Sequence, residues 1–334
     1  MDNSFDKSMD ESMEESIDRP TEKSTDKSKR FVTTIFVAVL VFFGLLVTLG
    51  EMGVLPFDFP TWNEIFEAVG LTDEDSLKNK MRVSFIDVGQ GDSILISVAE
   101  GNILIDASED EYGETVVDYL ENNNVERLDY LIATHPHSDH IGGLPDVLSA
   151  FGVDNVIMPK ISKDKTPTTS VYLKLLKAVK ASGAKVIAAK VGNTYTLGGL
   201  TMTVLSPKGQ YDDLNDMSVV VSVSFGETKF LFTGDASKKA EKDILKGAYA
   251  SYLDSDVLKV GHHGSRYSNS KQFLKAVSPE ISVISCGKGN DYGHPHAEVV
   301  KALKKVGTTI YRTDKLGTVV IESDGTSVSV VSGE

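Results

Sequence analysis

The chain has 334 residues, 41% of them apolar, with one cysteine, a net charge of −14 and a pI of about 5.0. A lone Cys286 excludes an internal disulfide framework. The acidic balance excludes a broad nonspecific grip on duplex DNA, which relies on many Lys/Arg–phosphate contacts, so a polyanionic substrate would need metal ions and a few local cations.

Residues 1–30 are rich in Ser, Asp, Glu and Lys, with serines recurring at Ser8, Ser12, Ser16, Ser24 and Ser28. Such a segment cannot bury enough apolar surface to offset its ordering entropy and is expected to be a disordered tail. Residues 31–50 carry no charge. Twenty helical residues at ~1.5 Å rise span roughly 30 Å, the thickness of a bilayer's hydrocarbon, which predicts a transmembrane helix. A cleaved signal peptide is the competing reading, but Glu51-Met-Gly-Val-Leu-Pro offers no small-x-small site. Lys27, Lys29 and Arg30 precede the span, whereas Glu51 and Asp58 follow it. The positive-inside rule then predicts a single-pass cell-membrane protein with a cytoplasmic N-terminus and an extracytoplasmic remainder. Residues 51–80 read as a juxtamembrane stalk.

From Met81 the texture is globular, with no internal boundary up to residue 334. Strand-like runs fall at 82–88, 93–98, 102–107, 131–134, 156–159, 185–189, 200–205, 219–225, 229–233, 257–260, 281–286, 309–312 and 317–331. Helical patterns fall at 114–123, 143–151, 170–181, 238–249, 270–277 and 297–306. Each half runs strands first, then alternates strand and helix. That order predicts two mixed sheets packed together, with helices on both outer faces.

The chemistry sits at strand ends. Leu131-Ile-Ala is followed by Thr134-His-Pro-His-Ser-Asp-His-Ile-Gly-Gly, which offers His135, His137, Asp139 and His140 within six positions. Alternate residues of an extended loop point the same way, so His135 and His137 can chelate one ion while Asp139 and His140 reach a second. This spacing points to a metallohydrolase. Phe230-Leu-Phe-Thr-Gly-Asp235 delivers a carboxylate whose two oxygens can bridge two cations. Val257-Leu-Lys-Val-Gly-His-His-Gly-Ser265 brings His262 and His263, which diverge in direction. Gly293-His-Pro-His brings His294 and His296. All seven histidines lie in these three clusters. Gly89-Gln-Gly-Asp-Ser93 resembles a phosphate loop, but Ile94 replaces the third glycine of a dinucleotide fingerprint, and no Gly-x-Ser-x-Gly elbow is present. It reads as a tight turn under the metal site, with Asp87 or Asp92 supporting the ligands.

The His-x-His-x-Asp-His segment, the later Asp and the further histidines resemble the metallo-β-lactamase superfamily. Within it, Phe85-Ile-Asp-Val-Gly-Gln-Gly-Asp-Ser93, Leu104-Ile-Asp106, Asn215-Asp-Met-Ser218, Leu258-Lys-Val-Gly-His-His-Gly-Ser265, Tyr292-Gly-His-Pro-His296 and Tyr311-Arg-Thr-Asp314 are similar to the hydrolase domain of ComEC competence proteins. The resemblance implies an α+β fold, an αββα four-layer sandwich over residues 81–334. It also implies a dinuclear site of two divalent ions, Zn²⁺ or Mn²⁺, held by His135, His137, Asp139, His140, Asp235 and His294. His262 or His263 would act beside the reacting group, with Asp139 also in the catalytic set. Asn215, Ser265, Arg266 and His296 are candidate substrate contacts, and Arg266, Lys288 and Arg312 candidate phosphate contacts.

Two departures bear on function. No histidine lies between His140 and Asp235, and Asn215 occupies the comparable stretch, so the ion at His135 and His137 is expected to be the more weakly held. One span replaces the polytopic channel of ComEC proteins, so transport is not this chain's own task. The expected activity is phosphodiester hydrolysis, with extracytoplasmic DNA as the leading substrate. Competing readings are cell-wall choline-phosphodiester hydrolysis, lactone or lactam hydrolysis, and a non-catalytic tethered binding module.

Overall fold

The computed structural model describes residue 77, residues 79–331 and six helical positions between 42 and 49. The expected tail and most of the expected span and stalk lie outside the described residues. Among the described residues no helix is long and apolar enough to cross a membrane.

Among the described residues of the Asp73–Glu334 unit fifteen strands are present. In chain order they are β1 (Met81–Phe85), β2 (Ile94–Val98), β3 (Gly101–Ile105), β4 (Arg127–Ile132), β5 (Gly152–Met158), β6 (Lys185–Ala188), β7 (Thr194–Leu197), β8 (Leu200–Ser206), β9 (Val220–Phe225), β10 (Thr228–Phe232), β11 (Val257–Lys259), β12 (Ile281–Ile284), β13 (Thr309–Arg312), β14 (Val319–Ser323) and β15 (Val328–Val331). One sheet runs β15-β14-β1-β2-β3-β4-β5-β6, the other β13-β12-β11-β10-β9-β8-β7. Each sheet is antiparallel through its hairpins and parallel where helices return the chain: β3 through β6 in the first, β10 through β13 in the second.

The period-2 alternation of side chains assigns each strand's apolar residues to one of two layers. Met81, Val83, Phe85, Ile94 and Ile96 meet Met202, Val221, Phe230 and Phe232 between the sheets, with the Phe85 and Phe232 rings 6.2 Å apart. Leu95, Leu104 and Leu131 face outward under helices α1 (Gly113–Asn122), α3 (Leu144–Ala150) and α4 (Ser170–Ser182), past the short α2 (Ser138–Ile141). Leu231 and Leu258 do the same under α5 (Lys238–Leu245), α6 (Lys271–Val277) and α7 (Ala297–Val306), and α8 (Thr313–Leu316) ends the last βα step. The αββα order expected from the sequence is the observed one.

Three elements differ from expectation. The run 317–331 is two strands: Asp324 turns the chain by accepting N–H bonds from Thr326 and Ser327 at 2.8 Å each. β7 was not foreseen; it pairs with β8 through Gly198 and Gly199, whose φ values of 49° and 81° suit a two-residue hairpin turn. β4 begins at Arg127, two residues before the apolar run Asp129-Tyr-Leu-Ile-Ala and four before the expected range 131–134.

Candidate metal centre

Parallel strands deliver their carboxyl ends to one edge of each sheet, the usual place for a ligand site in such layers. β3 and β4 bring Asp106 and the 134–140 loop; β10, β11 and β12 bring Asp235, His262 and His263, and the 285–296 loop.

Asp139, His140, Asp235 and His263 place one donor atom each within 4.8 Å of one another. His140 Nε2 lies 3.2 Å from Asp235 Oδ1, and His263 Nε2 lies 3.3 Å from Asp139 Oδ2 and 3.6 Å from Asp235 Oδ1. An ion bound tetrahedrally at about 2.0–2.2 Å sets its ligands roughly 3.3–3.6 Å apart, so this spacing fits a single cation. The other oxygen of Asp235 turns the opposite way, with Oδ2 3.4 Å from His262 Nε2 and 3.9 Å from His135 Nε2. His135 Nε2 is in turn 3.1 Å from His137 Nδ1. Three ring nitrogens and a carboxylate oxygen thus gather beside the first group, and Asp235 touches both.

The tautomers are set from behind. The Ser285 carbonyl, 3.0 Å from His263 Nδ1, can only accept, so Nδ1 carries the hydrogen and Nε2 offers its lone pair to the centre. His140 Nδ1 lies 2.7 Å from Asp106 Oδ2, which imposes the same tautomer. Asp106 is itself held by the Thr134 N–H at 2.8 Å and hydroxyl at 2.6 Å. His140 Nε2, His263 Nε2 and Asp235 Oδ1 are buried and lack hydrogen-bond partners. Buried polar atoms rarely stay unmet, and three converging ones are what a cation would satisfy. The residues present therefore fit divalent ions.

Electrostatics follow the same pattern. Burial opposes charge on His140 and His263, but the surrounding carboxylates outweigh it: His140 is pushed well above its usual value, and Asp235 and Asp92 take His263 up to about 10. Burial would raise Asp235 and Asp139, yet the adjacent His140 and His263 hold both well below the usual carboxylate range. His135 goes the other way, driven well down by burial and by His140. The site concentrates buried carboxylates and imidazoles in one place.

Lys259, fully buried in the central β11, places Nζ 2.9 Å from Asp92 Oδ1, which lies 3.4 Å from His263 Nδ1. Burial tends to raise Asp92, but Lys259 and His263 bring it down to about 2. The Asp92 N–H donates to the Asp139 carbonyl at 3.1 Å, so one residue steadies ligands from both sheets.

The remaining sequence-predicted residues divide. His262 and His263 are consecutive non-glycine residues at φ 52°, a left-handed backbone that costs about 1–2 kcal/mol each and turns both rings toward Asp235. His263 is the histidine of the pair whose donor atom belongs to the four-donor group. His294 lines the same cavity as Asp139, Asp235 and His263, its ring 5.6 Å from that of His262, 6.1 Å from that of His263 and stacked on Tyr292 at 5.6 Å; burial and His263 lower it to about 4. Asn215 lines the same cavity with Oδ1 buried and unpartnered, while Ser218 takes the Asp235 N–H at 3.0 Å and lies 3.4 Å from His135 Nδ1. Ser265 is buried within its own turn, accepting from Tyr267 N–H. His296 Nδ1 accepts the Arg266 N–H at 3.3 Å, and Arg266 faces Glu298 at 3.9 Å, so none of these three lines the cavity. Arg312 is committed to Asp314 through two bonds of 2.8 and 2.6 Å. Asp87 is exposed and caps Gly89 N–H, which leaves Asp92 as the supporting carboxylate. Cys286 is buried in the β12 exit, its thiol pushed up to about 12 by burial and Asp314, and is no nucleophile for this site.

Sequence reasoning missed Asp106, Thr134, Ser218 and Lys259 as site residues. Lys259 left a signal, a lone cation inside Val257-Leu-Lys-Val. The centre opens into a cavity of about 500 Å³ walled by Gln90, His137, Asn215, His262, Tyr292 and His294, among others.

The comparisons with known proteins agree with this geometry. A sequence profile of the metallo-beta-lactamase superfamily matches residues 86–288. The chain is 31% identical over 264 residues to ComE operon protein 3 of Bacillus subtilis (strain 168), covering 73% of this chain and 33% of that protein. It is 33% identical over 242 residues to competence protein ComA of Neisseria gonorrhoeae, covering 72% and 32%. The chain thus spans about a third of the length of these competence proteins. Among solved structures, the metallo-beta-lactamase fold protein YhfI from Bacillus subtilis superposes with a TM-score of 0.50 at 15% identity, over 74% of this chain and all of that one. Fold, ligand cluster and profile together make this chain a member of the metallo-beta-lactamase superfamily, related to the ComEC-type competence proteins.

Proposed function

We propose that this metallo-hydrolase is a phosphodiesterase acting on a nucleic-acid strand. The observation that carries the reading is Asp235, whose two oxygens face two groups of imidazole donors across one open cavity. When bound, a pair of divalent ions there would polarise a phosphoryl oxygen and supply a water-derived nucleophile near neutral pH. The protein's share is positioning. Asp106 and Ser285 fix the tautomers of His140 and His263, Lys259 and Asp92 fix the His263 ring, and Ser218 fixes the backbone of Asp235. His294, neutral at pH 7 and on the cavity wall, offers an N–H to a leaving oxygen; Asn215 offers an amide to a non-bridging one.

Relatives named as a competence protein and as a recombination protein support nucleic acid over a lactam. So does an aspartate at the bridging position, with the only cysteine buried elsewhere. Residues 31–50 would tether the domain outside the cytoplasmic membrane, their lack of charge being the support. The discriminating assay offers the purified chain bis-p-nitrophenyl phosphate, single-stranded DNA, a choline phosphodiester, a lactone and a chromogenic lactam. Metal-dependent turnover of the first two is expected. Turnover of the lactone, lactam or choline ester alone contradicts the reading.

A further inference from the structure

A second cavity of about 550 Å³ adjoins the first. Gln90 lines both. Its Oε1 accepts the Gly287 N–H at 3.1 Å, which pins the 287–294 loop against the first sheet's turn. Asn290 organises that loop, donating to the Gly287 and His294 carbonyls at 2.9 and 2.7 Å and accepting the His294 N–H at 2.9 Å. One short loop therefore presents Tyr292 and His294 to the metal cavity and Lys288 to the second one.

The second cavity gathers two lysines in a chain of net charge −14. Lys288 and Lys315 line it, both exposed and neither in an ion pair among the described residues. Two carboxylates also reach it, but Asp314 is matched by Arg312, and Asp87 accepts the Gly89 N–H. The lysines are left in excess by one charge. On the other side of the ridge, Tyr292 is 64% exposed, its ring held parallel to His294 at an interplanar angle of 19°. A large aromatic ring left in water at a cavity mouth suits base stacking.

We propose that the second cavity is a subsite for the phosphate next to the scissile one, so that a single nucleic-acid strand lies over the Gln90 ridge with a base on Tyr292. This rests on the phosphodiesterase reading and extends it from a diester to a polymer, with Lys288 and Lys315 as binding residues. In a protein of net charge −14, a local pair of cations next to an ion-loaded centre supplies the phosphate contacts that the surface at large cannot.

The test uses fluorescence anisotropy of the metal-loaded full chain with labelled, slowly cleaved phosphorothioate thymidylates. One probe is a tetranucleotide; the other is a dinucleotide whose single linkage fills only the metal cavity. The double substitution Lys288→Ala/Lys315→Ala, at two exposed sites, should weaken the tetranucleotide about tenfold and leave the dinucleotide within about twofold. The slope of log K against log salt for the tetranucleotide should fall by roughly 0.7, the value for one lost phosphate contact on a single strand. An unchanged tetranucleotide affinity and slope, or equal losses on both probes, overturns the subsite. An abasic tetranucleotide bound as tightly as the thymidylate overturns the stacking role of Tyr292. Failure of the phosphodiesterase reading would look different: no cleavage of any diester, whatever the binding shows.

Discussion

Lys259 is the residue least expected in its setting, a fully buried ammonium on a central strand. Its charge is tolerated because Asp92 lies 2.9 Å away and the Val260 carbonyl accepts a second bond at 2.9 Å. A buried pair of this kind adds little net stability, but removing one partner strands the other in a low dielectric. Lys259→Met should therefore cost about 3–5 kcal/mol in denaturant unfolding of the metal-free protein. Lys259→Met with Asp92→Asn should cost clearly less than the sum of the two single changes. Additive costs would show that the pair is not coupled. In both variants the His263 ring loses its support, so metal affinity falls even where stability is recovered.

At the scale of elements, the Gly89–Ser93 turn between β1 and β2 decides whether the two halves of the centre meet. Gly91 adopts φ 145°, and a Cβ there would run into the Asp139 carbonyl and the Ser108 hydroxyl. Gly91→Ala should leave a folded protein but push the 134–140 loop outward. A metal affinity lower by about 10–100-fold, read by competition with a chromophoric chelator, is the expected outcome. Affinity equal to that of the unaltered chain would show that the turn does not position the loop. The strands around this turn were legible because alternation separates the inter-sheet layer from the outer layers, as in Ile94, Ile96 and Val98 against Leu95. The ligand loops were legible because every histidine follows a strand. β7 was not, since its Thr-Tyr-Thr-Leu pattern at a sheet edge buries no residue fully. The place of His263 in the four-donor group was hidden as well. It depends on two successive left-handed residues, a conformation that the Gly-His-His-Gly spelling permits but does not dictate.

For the molecule as a whole, the first sheet is closed by the return of the chain's last hairpin to its first strand. Arg82 and Glu322 are register partners across β1 and β14, joined at 2.9 and 3.1 Å, with Lys80 adding a contact at 3.2 Å. Burial would raise Glu322, but Arg82 and Lys80 hold its carboxyl below the usual 4.5. The folded state therefore favours the charged form. The resulting stability is present in full above about pH 4.5 and is lost as pH falls through the lower folded value. Glu322→Gln should cost about 0.5–1 kcal/mol at pH 7, discounted for the partial exposure of Lys80. The difference from the unaltered chain should shrink toward zero in strong acid. A cost independent of pH would assign the effect to packing instead.

The central claim is that Asp235 joins two cation sites into one phosphodiester-cleaving centre. It is tested most directly by metal content and bis-p-nitrophenyl phosphate hydrolysis on one preparation, before and after chelation and for Asp235→Ala. The account predicts that chelation lowers kcat/KM by at least about a hundredfold and that Mn²⁺ or Zn²⁺ restores it. Asp235→Ala should stay folded, lose bound metal and remain inactive after metal is added back. Hydrolysis that persists at the original rate in chelated protein, or in Asp235→Ala, would contradict it.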